Sequence, residues 1–129
     1  MNSEIAETIR YLSAAEVVAI NEAVTGGAGL RDLRLFDSAL RRPALVLFGE
    51  VQFPTLIDKA AAYMESFAYH HLFFDGNKRT AVQAVALFLR HNGRTFHYEA
   101  GRDQPFVLEI AQGWHDKAAI AAWLAQRVD

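Results

Sequence analysis

His71-Leu72-Phe73-Phe74-Asp75-Gly76-Asn77-Lys78-Arg79 separates two long segments of helical periodicity, and its reading decides the fold. Before it, Ile57, Ala60, Met64, Phe67 and His71 recur at 3-4-3-4 spacing. That is one stripe of a helix running from Thr55, with Pro54 suited to the first turn and His71 at the end of the buried face. After it, a helix is predicted from near Asn77 to Asn92, closed by Gly93. Between Ala81 and Leu89 only Gln83 is polar, so this second helix is expected to be the central one, surrounded by others.

Working outward, Ser13-Ala-Ala-Glu16 has capping-box spacing and opens a helix carrying Val17, Ile20 and Val24, which Gly26 and Gly27 end. Gly29 to Arg42 reads as a loop with a short helix around Asp37 to Arg41, stopped by Pro43. Ala44 to Phe53 reads as a small hairpin or extended flap. Thr95 to Tyr98 is a short extended piece, followed by helices at about Gln104 to Gln112 and Asp116 to Gln126. Ile120, Trp123 and Leu124 fall at i, i+3, i+4, which places Trp123 in the core. The pattern is mainly α, without internal repeats or a Pro/Gly/Ser-rich divide, so residues 1–129 are expected to form a single domain.

Composition excludes several function classes. The chain has 129 residues, of which 52% are hydrophobic and 22% charged, which is globular rather than disordered. Its 13 Lys and Arg are outnumbered by 15 Asp and Glu, for a net charge of -2. A broad cationic face for nucleic acid is therefore not expected, and no direct nucleic-acid partner is predicted. With no cysteine, disulfides, thiolate nucleophiles and Cys-based zinc sites are excluded. The N-terminal stretch lacks the basic start and unbroken apolar run of a secretory signal. Thr80 to Leu89 is too short for a bilayer, which takes about 20 residues. A cytoplasmic protein with no membrane partner is expected.

The loop between the two helices carries the chemistry. A helix N-terminus has free N–H groups and the positive end of the dipole, and so attracts anions. Gly76 leaves room for a phosphate to approach, and Asn77 is a good N-cap. Lys78 and Arg79 stand at the wrong end of the dipole, a local conflict that an anionic ligand would resolve. Asp75 is placed to hold Mg²⁺ beside bound phosphates. His71, with an ordinary pKa near 6.5, suits proton transfer from an incoming hydroxyl. Together these point to phosphoryl or nucleotidyl transfer, where positioning and charge neutralisation do most of the catalysis. His70 is expected to point elsewhere, and His91, His97 and His115 are scattered without ligand spacing. Walker-type and dinucleotide phosphate loops, H-E-x-x-H and G-x-S-x-G are all absent; Gly26-Gly27-Ala28-Gly29 completes none of them.

The nonapeptide resembles the H-x-F-x-[DN]-[AG]-N-K-R signature of the Doc toxins, members of the wider Fic superfamily. The surroundings are similar too: Gly29-Leu30-Arg31-Asp32, Ala39-Leu40-Arg41-Arg42-Pro43, Phe48-Gly49, Phe53-Pro54-Thr55-Leu56, Lys59-Ala60-Ala61, Phe88-Leu89 and Asn92-Gly93. The resemblance covers roughly residues 11 to 125. It implies a single-domain Fic/Doc helical bundle with a short β-hairpin flap, Ala44 to Phe53, that aligns a protein substrate by strand addition. It also implies that His71 is the general base, that Phe73 anchors the loop, and that Asp75 holds Mg²⁺. Gly76 and Asn77 would form an anion nest through backbone and amide groups, and Lys78 and Arg79 would grip nucleotide phosphates.

Two positions depart from the main Fic pattern: Lys78 stands where ordinary members have Gly, and Val82 where they have a further Arg. Both departures resemble the Doc branch, which implies ATP bound in the reverse sense and transfer of its terminal phosphate. By resemblance the chain is thus the toxin of a toxin-antitoxin pair, a protein kinase that modifies elongation factor Tu or another translation factor and halts translation. AMP transfer to a protein, or a non-catalytic nucleotide- or antitoxin-binding module, are the alternative readings. The inhibitory pattern [ST]-x-x-x-E-[GN] is not completed, since Ser3 to Glu7 is followed by Thr8. That implies restraint in trans by a Phd-like antitoxin.

Overall fold

The computed structural model describes residues 8–129, so the segment Ser3 to Glu7 and the very N-terminus lie outside the described residues. The expected mainly α bundle with a short hairpin is present. Helix α1 spans Ala14–Thr25 and opens on the predicted capping box: Glu16 N–H donates to Ser13 Oγ and Ser13 N–H to Glu16 Oε1. Gly26, at φ 80°, closes it in the left-handed conformation that glycine adopts at little cost. Helix α2 spans Leu33–Arg41, a turn earlier than expected, because Asp32 accepts from Leu35 N–H and caps it. Pro43 then sits in a 3-10 turn over Arg42–Ala44.

Strands β1 (Val46–Leu47) and β2 (Glu50–Val51) pair antiparallel across a Phe48-Gly49 turn. Both turn residues have positive φ, 51° and 78°, as a tight two-residue hairpin requires. The hairpin is solvent-facing, and Phe48 is fully exposed. Its two ends are tied by Lys59, whose buried Nζ donates to the carbonyls of Phe53 and Pro43. Burial lowers the Lys59 pKa.

Helices α3 (Leu56–Tyr69), α4 (Asn77–His91), α5 (Ala100–Ala111) and α6 (Lys117–Ala125) complete the bundle. Thr55 caps α3 with Asp58 in a second capping box, which leaves Pro54 just outside the helix rather than in its first turn. The surrounded helix is α3, not α4. Helix α3 packs against α2, α4, α5 and α6 and buries every residue from Lys59 to Met64. Its Tyr63 stacks on Phe67 and meets Phe88 of α4 edge-on, with ring centroids 5.4 and 4.9 Å apart. Small alanines let the neighbours close in on α3, whereas the N-terminal half of α4 has one side open, leaving Gln83 exposed and Val82 half-buried.

Helix α5 begins a turn earlier than expected, despite Gly101 and Pro105. Buried Asp103 offsets their poor helix propensity by accepting from the N–H of Glu99, the cap residue, at 2.9 Å. Trp123 is buried as expected, and Asp116 caps α6. The predicted extended piece pairs with the chain's last residues: His97 N–H donates to Arg127 O at 2.7 Å, and Phe96 forms an antiparallel bridge with Val128. Among the described residues no helix is long and apolar enough to cross a membrane.

Candidate active site at the start of helix α4

The site grows from the short link between α3 and α4. Helix α3 ends at Tyr69, and His70 takes a non-helical backbone, φ -91° and ψ 89°. His71 therefore lies in the loop, exposed, rather than at the end of the helical stripe. Ala60, Met64 and Phe67 of the α3 stripe are buried, and the helix stops before His71 would extend it. His70 packs edge-on against Tyr69 and lines a separate hollow of about 250 Å³ with Arg42 and Glu65.

Leu72 and Phe73 turn inward. Phe73 is buried edge-on against Phe36 of α2, at 5.6 Å between centroids. The loop backbone is stitched to Gly29–Asp32 in antiparallel fashion. Arg31 N–H donates to Leu72 O at 2.7 Å, Phe74 N–H donates to Gly29 O at 3.1 Å, and Leu30 bridges Phe73.

Asn77 is the first residue of α4, and Gly76, at φ 72°, takes the cap position expected of Asn77. The Asn77 side chain looks back instead: its Oδ1 accepts from Phe73 N–H at 3.0 Å and its Nδ2 donates to Phe73 O at 2.9 Å. The amide expected in an anion nest is therefore spent on the loop, and Asn77 can offer an anion only its backbone N–H. The N–H groups of Asn77, Lys78 and Arg79 have no hydrogen-bond partner among the described residues, and no side chain caps the helix. This is an open anion-binding terminus.

Helix α1 supports the same turn from behind. Buried Asn21 donates to Asp75 O at 2.9 Å and to Thr80 Oγ1 at 3.1 Å. A Cβ on Gly76 would stand 2.4 Å from Thr25 Cγ2, so only glycine fits beneath that methyl. Arg79 Nη1 donates to Val24 O at 3.0 Å, near the end of α1, which anchors one arm of the guanidinium. No sequence motif marks Asn21, Val24 or Thr25 as part of the site. Asn21 was detectable in principle, as a polar residue one turn after Val17 on an apolar helix face.

Asp75, Gly76, Asn77, Lys78 and Arg79 converge on one cleft of about 690 Å³. Val82 and Gln83 continue its α4 wall, and Tyr98, Ala100, Gln104 and Val107 form the opposite wall. Burial, with the carboxylate of Asp103 adding to it, raises the Tyr98 pKa. His71 is not among the cleft-lining residues. The far wall was missed because no motif marks it; α5 brings it there through tertiary packing. Asp75 stands without a second carboxylate: no group of three or more His, Asp or Glu among the described residues is placed to hold a metal ion. The remaining histidines are paired with carboxylates away from the loop, His91 with Glu16, His97 with Asp129 and His115 with Glu109.

Comparison with known proteins places the chain in a family. The Fic/DOC family model matches residues 11–89, which contain α1, the hairpin, the loop and most of α4. A protein of Mycolicibacterium smegmatis named Toxin Doc is 37% identical over 118 residues, covering 89% of this chain and 91% of that protein. A protein of Escherichia phage P1 named Protein kinase doc is 33% identical over 90 residues, covering 66% of this chain and 70% of that protein. The chain belongs to the Fic/DOC family.

Proposed function

We propose that the chain is a transferase that moves the terminal phosphate of ATP to a hydroxyl side chain of a translation factor, elongation factor Tu by resemblance. The observation that carries this reading is the location of Lys78 and Val82. Both depart from the main Fic pattern, and both line the cleft that holds Asp75, Gly76 and Arg79. A lysine there occupies part of the anion hole with its own charge. A valine in place of a second arginine leaves the outer phosphates unclamped. Both features favour a nucleotide bound in reverse, with its terminal phosphate presented for transfer.

In this reading His71 takes the proton of the target hydroxyl, whose oxygen attacks the terminal phosphorus. The bond to the bridging oxygen breaks and ADP leaves. Gly76 and the free N–H groups of Asn77, Lys78 and Arg79 cradle the phosphates, and the two cations neutralise charge that grows on transfer. Asp75 would hold Mg²⁺, which would neutralise phosphate charge. One carboxylate suffices, since Mg²⁺ keeps several waters and takes the rest of its oxygens from phosphates. The exposed hairpin around Phe48 would add a strand to the protein substrate. The Doc-toxin names of the relatives support restraint by an antitoxin in trans, Phd-like by resemblance.

The test is a paired labelling assay with Mg²⁺ and a bacterial translation extract. ATP labelled on the γ-phosphate is expected to label a protein band, and ATP labelled on the α-phosphate is not. Label from α alone would replace the kinase reading with nucleotidyl transfer. Label from neither would favour a non-catalytic module.

A further inference from the structure

We infer that Arg31 is a positioning residue for His71, acting through the peptide that carries the imidazole; the inference rests on the reading of His71 as the general base. The ladder between Gly29–Asp32 and the loop fixes Leu72, Phe73 and Phe74 through backbone bonds. His71 lies one residue beyond the last rung. Helix α3 has already ended, the last helix-type bond being His70 N–H to Ser66 O. The backbone of His71 makes one hydrogen bond among the described residues, and it comes from a side chain: Arg31 Nε donates to His71 O at 2.5 Å.

The geometry gives this bond leverage. Arg31 directly precedes Asp32, which caps α2, and its own N–H is bonded to Leu72 O. Its backbone is thereby fixed on both sides, and the planar guanidinium projects from a rigid base. The His71 side chain is exposed and has no partner of its own among the described residues. Its orientation therefore follows the peptide between His71 and Leu72. Rotating that peptide swings the imidazole, and proton transfer is steep in such geometry. Arg31 itself is exposed, so the bond adds little to stability and acts mainly through geometry.

The experiment measures steady-state phosphate transfer by wild type, Arg31→Ala, Arg31→Lys and His71→Ala, each with its melting temperature. Arg31→Ala is expected to lower kcat about 10- to 100-fold, the scale of a misplacement near 1 Å, while KM for ATP stays within about twofold. Arg31→Lys, which can still donate to the carbonyl, should recover most of the loss. Asp32→Ala serves as the structural control, lowering the melting temperature without separating kcat from KM. Full activity in Arg31→Ala overturns the inference, as does a loss that Arg31→Lys does not repair. Should wild type transfer no phosphate, the functional reading fails by itself. The His71 imidazole resonances of the folded proteins then decide. Resonances collapsing toward free histidine in Arg31→Ala, and restored in Arg31→Lys, support positioning; identical spectra overturn it.

Discussion

Two clusters of charge belong to opposite walls of the cleft, Asp75 to Arg79 on the α4 side and Asp103 within α5, and they are built on opposite principles. Around Asp103 every charge has a partner. Its fully buried carboxylate accepts from Arg102 at 2.8 Å, from Arg127 at 2.7 Å and from Glu99 N–H, while the Arg127 guanidinium also lies over the Trp123 ring. Around Asp75 the reverse holds. Asp75 and Lys78 have no ion-pair partner among the described residues, and Arg79 spends one arm on a backbone carbonyl. The closed cluster is architecture: it holds Glu99 and the start of α5, and so the Tyr98 wall. In the proposed function the open cluster would meet a ligand, its charges left for something that arrives from solution. What separates the two clusters is not the amount of charge but whether it is met within the protein.

Substitutions should separate the two. The largest effect is expected at the open end. His71→Ala should cost about 10²- to 10⁴-fold in transfer with an unchanged melting temperature. Arg79→Ala should cost about 10²- to 10³-fold and add a stability loss of only about 1 kcal/mol from the Val24 bond. A large drop in melting temperature for either would erase the distinction. The next effect belongs to the closed end. Asp103→Asn should destabilise by about 2–4 kcal/mol in denaturant titrations, since it breaks a buried ion network.

The same residue predicts a pH dependence. The two arginines hold the Asp103 carboxyl well below the usual carboxylate range, with Arg102 contributing most. As pH falls, the unfolded chain takes up this proton first, near the ordinary value of about 3.9. The contribution of Asp103 is therefore complete above that value and is lost progressively as pH falls below about 4. Asp103→Asn should flatten the acid limb of the stability curve; an identical limb in the variant would remove Asp103 from the account.

Smaller is the effect at the joint between α1 and the loop. Gly76→Ala should cost about 1–3 kcal/mol, from positive φ and the Thr25 methyl. Thr25→Ser, which removes that methyl, should relieve part of the loss in the double variant. The smallest effect is expected at the hairpin tip, where Phe48→Ser should change stability by no more than about 0.5 kcal/mol. Labelling of the protein target should fall in this variant.

Much of this was legible in the chain. The two long helices, the Ser13 capping box, the hairpin and the buried Trp123 follow from spacing and local chemistry, and these signals are local. The elements that shifted, α2 and α5, did so because acidic residues recruit a turn that propensity alone gives away. Asp32 caps the first, and Asp103 holds the second by accepting from Glu99 N–H, while Arg127, 24 residues away in sequence, partners its buried carboxylate. At the site, the nonapeptide named Asp75 to Arg79, which line the cleft, but not its far wall, how Asn77 is used, or that His71 falls outside the helix and off the cleft lining. The last two depend on the carbonyl and N–H of Phe73 and on where α3 stops. The support at Arg31 was invisible because its partner lies 40 residues along the chain, and Asn21 showed only as a polar residue on an apolar helix face, with its partner 54 residues away.

The pair of bonds between Asn77 and the backbone of Phe73 has a kinetic meaning. It closes a small ring of chain just ahead of the proposed phosphate cradle, so the entropy of ordering that turn is lost at folding and would not be lost again when a nucleotide arrives. A cradle already set should bind in one step. Association traces for ATP should be single exponentials whose rate rises linearly with concentration, without the plateau that a slow rearrangement imposes. Asn77→Ala, which opens the ring, should introduce that plateau.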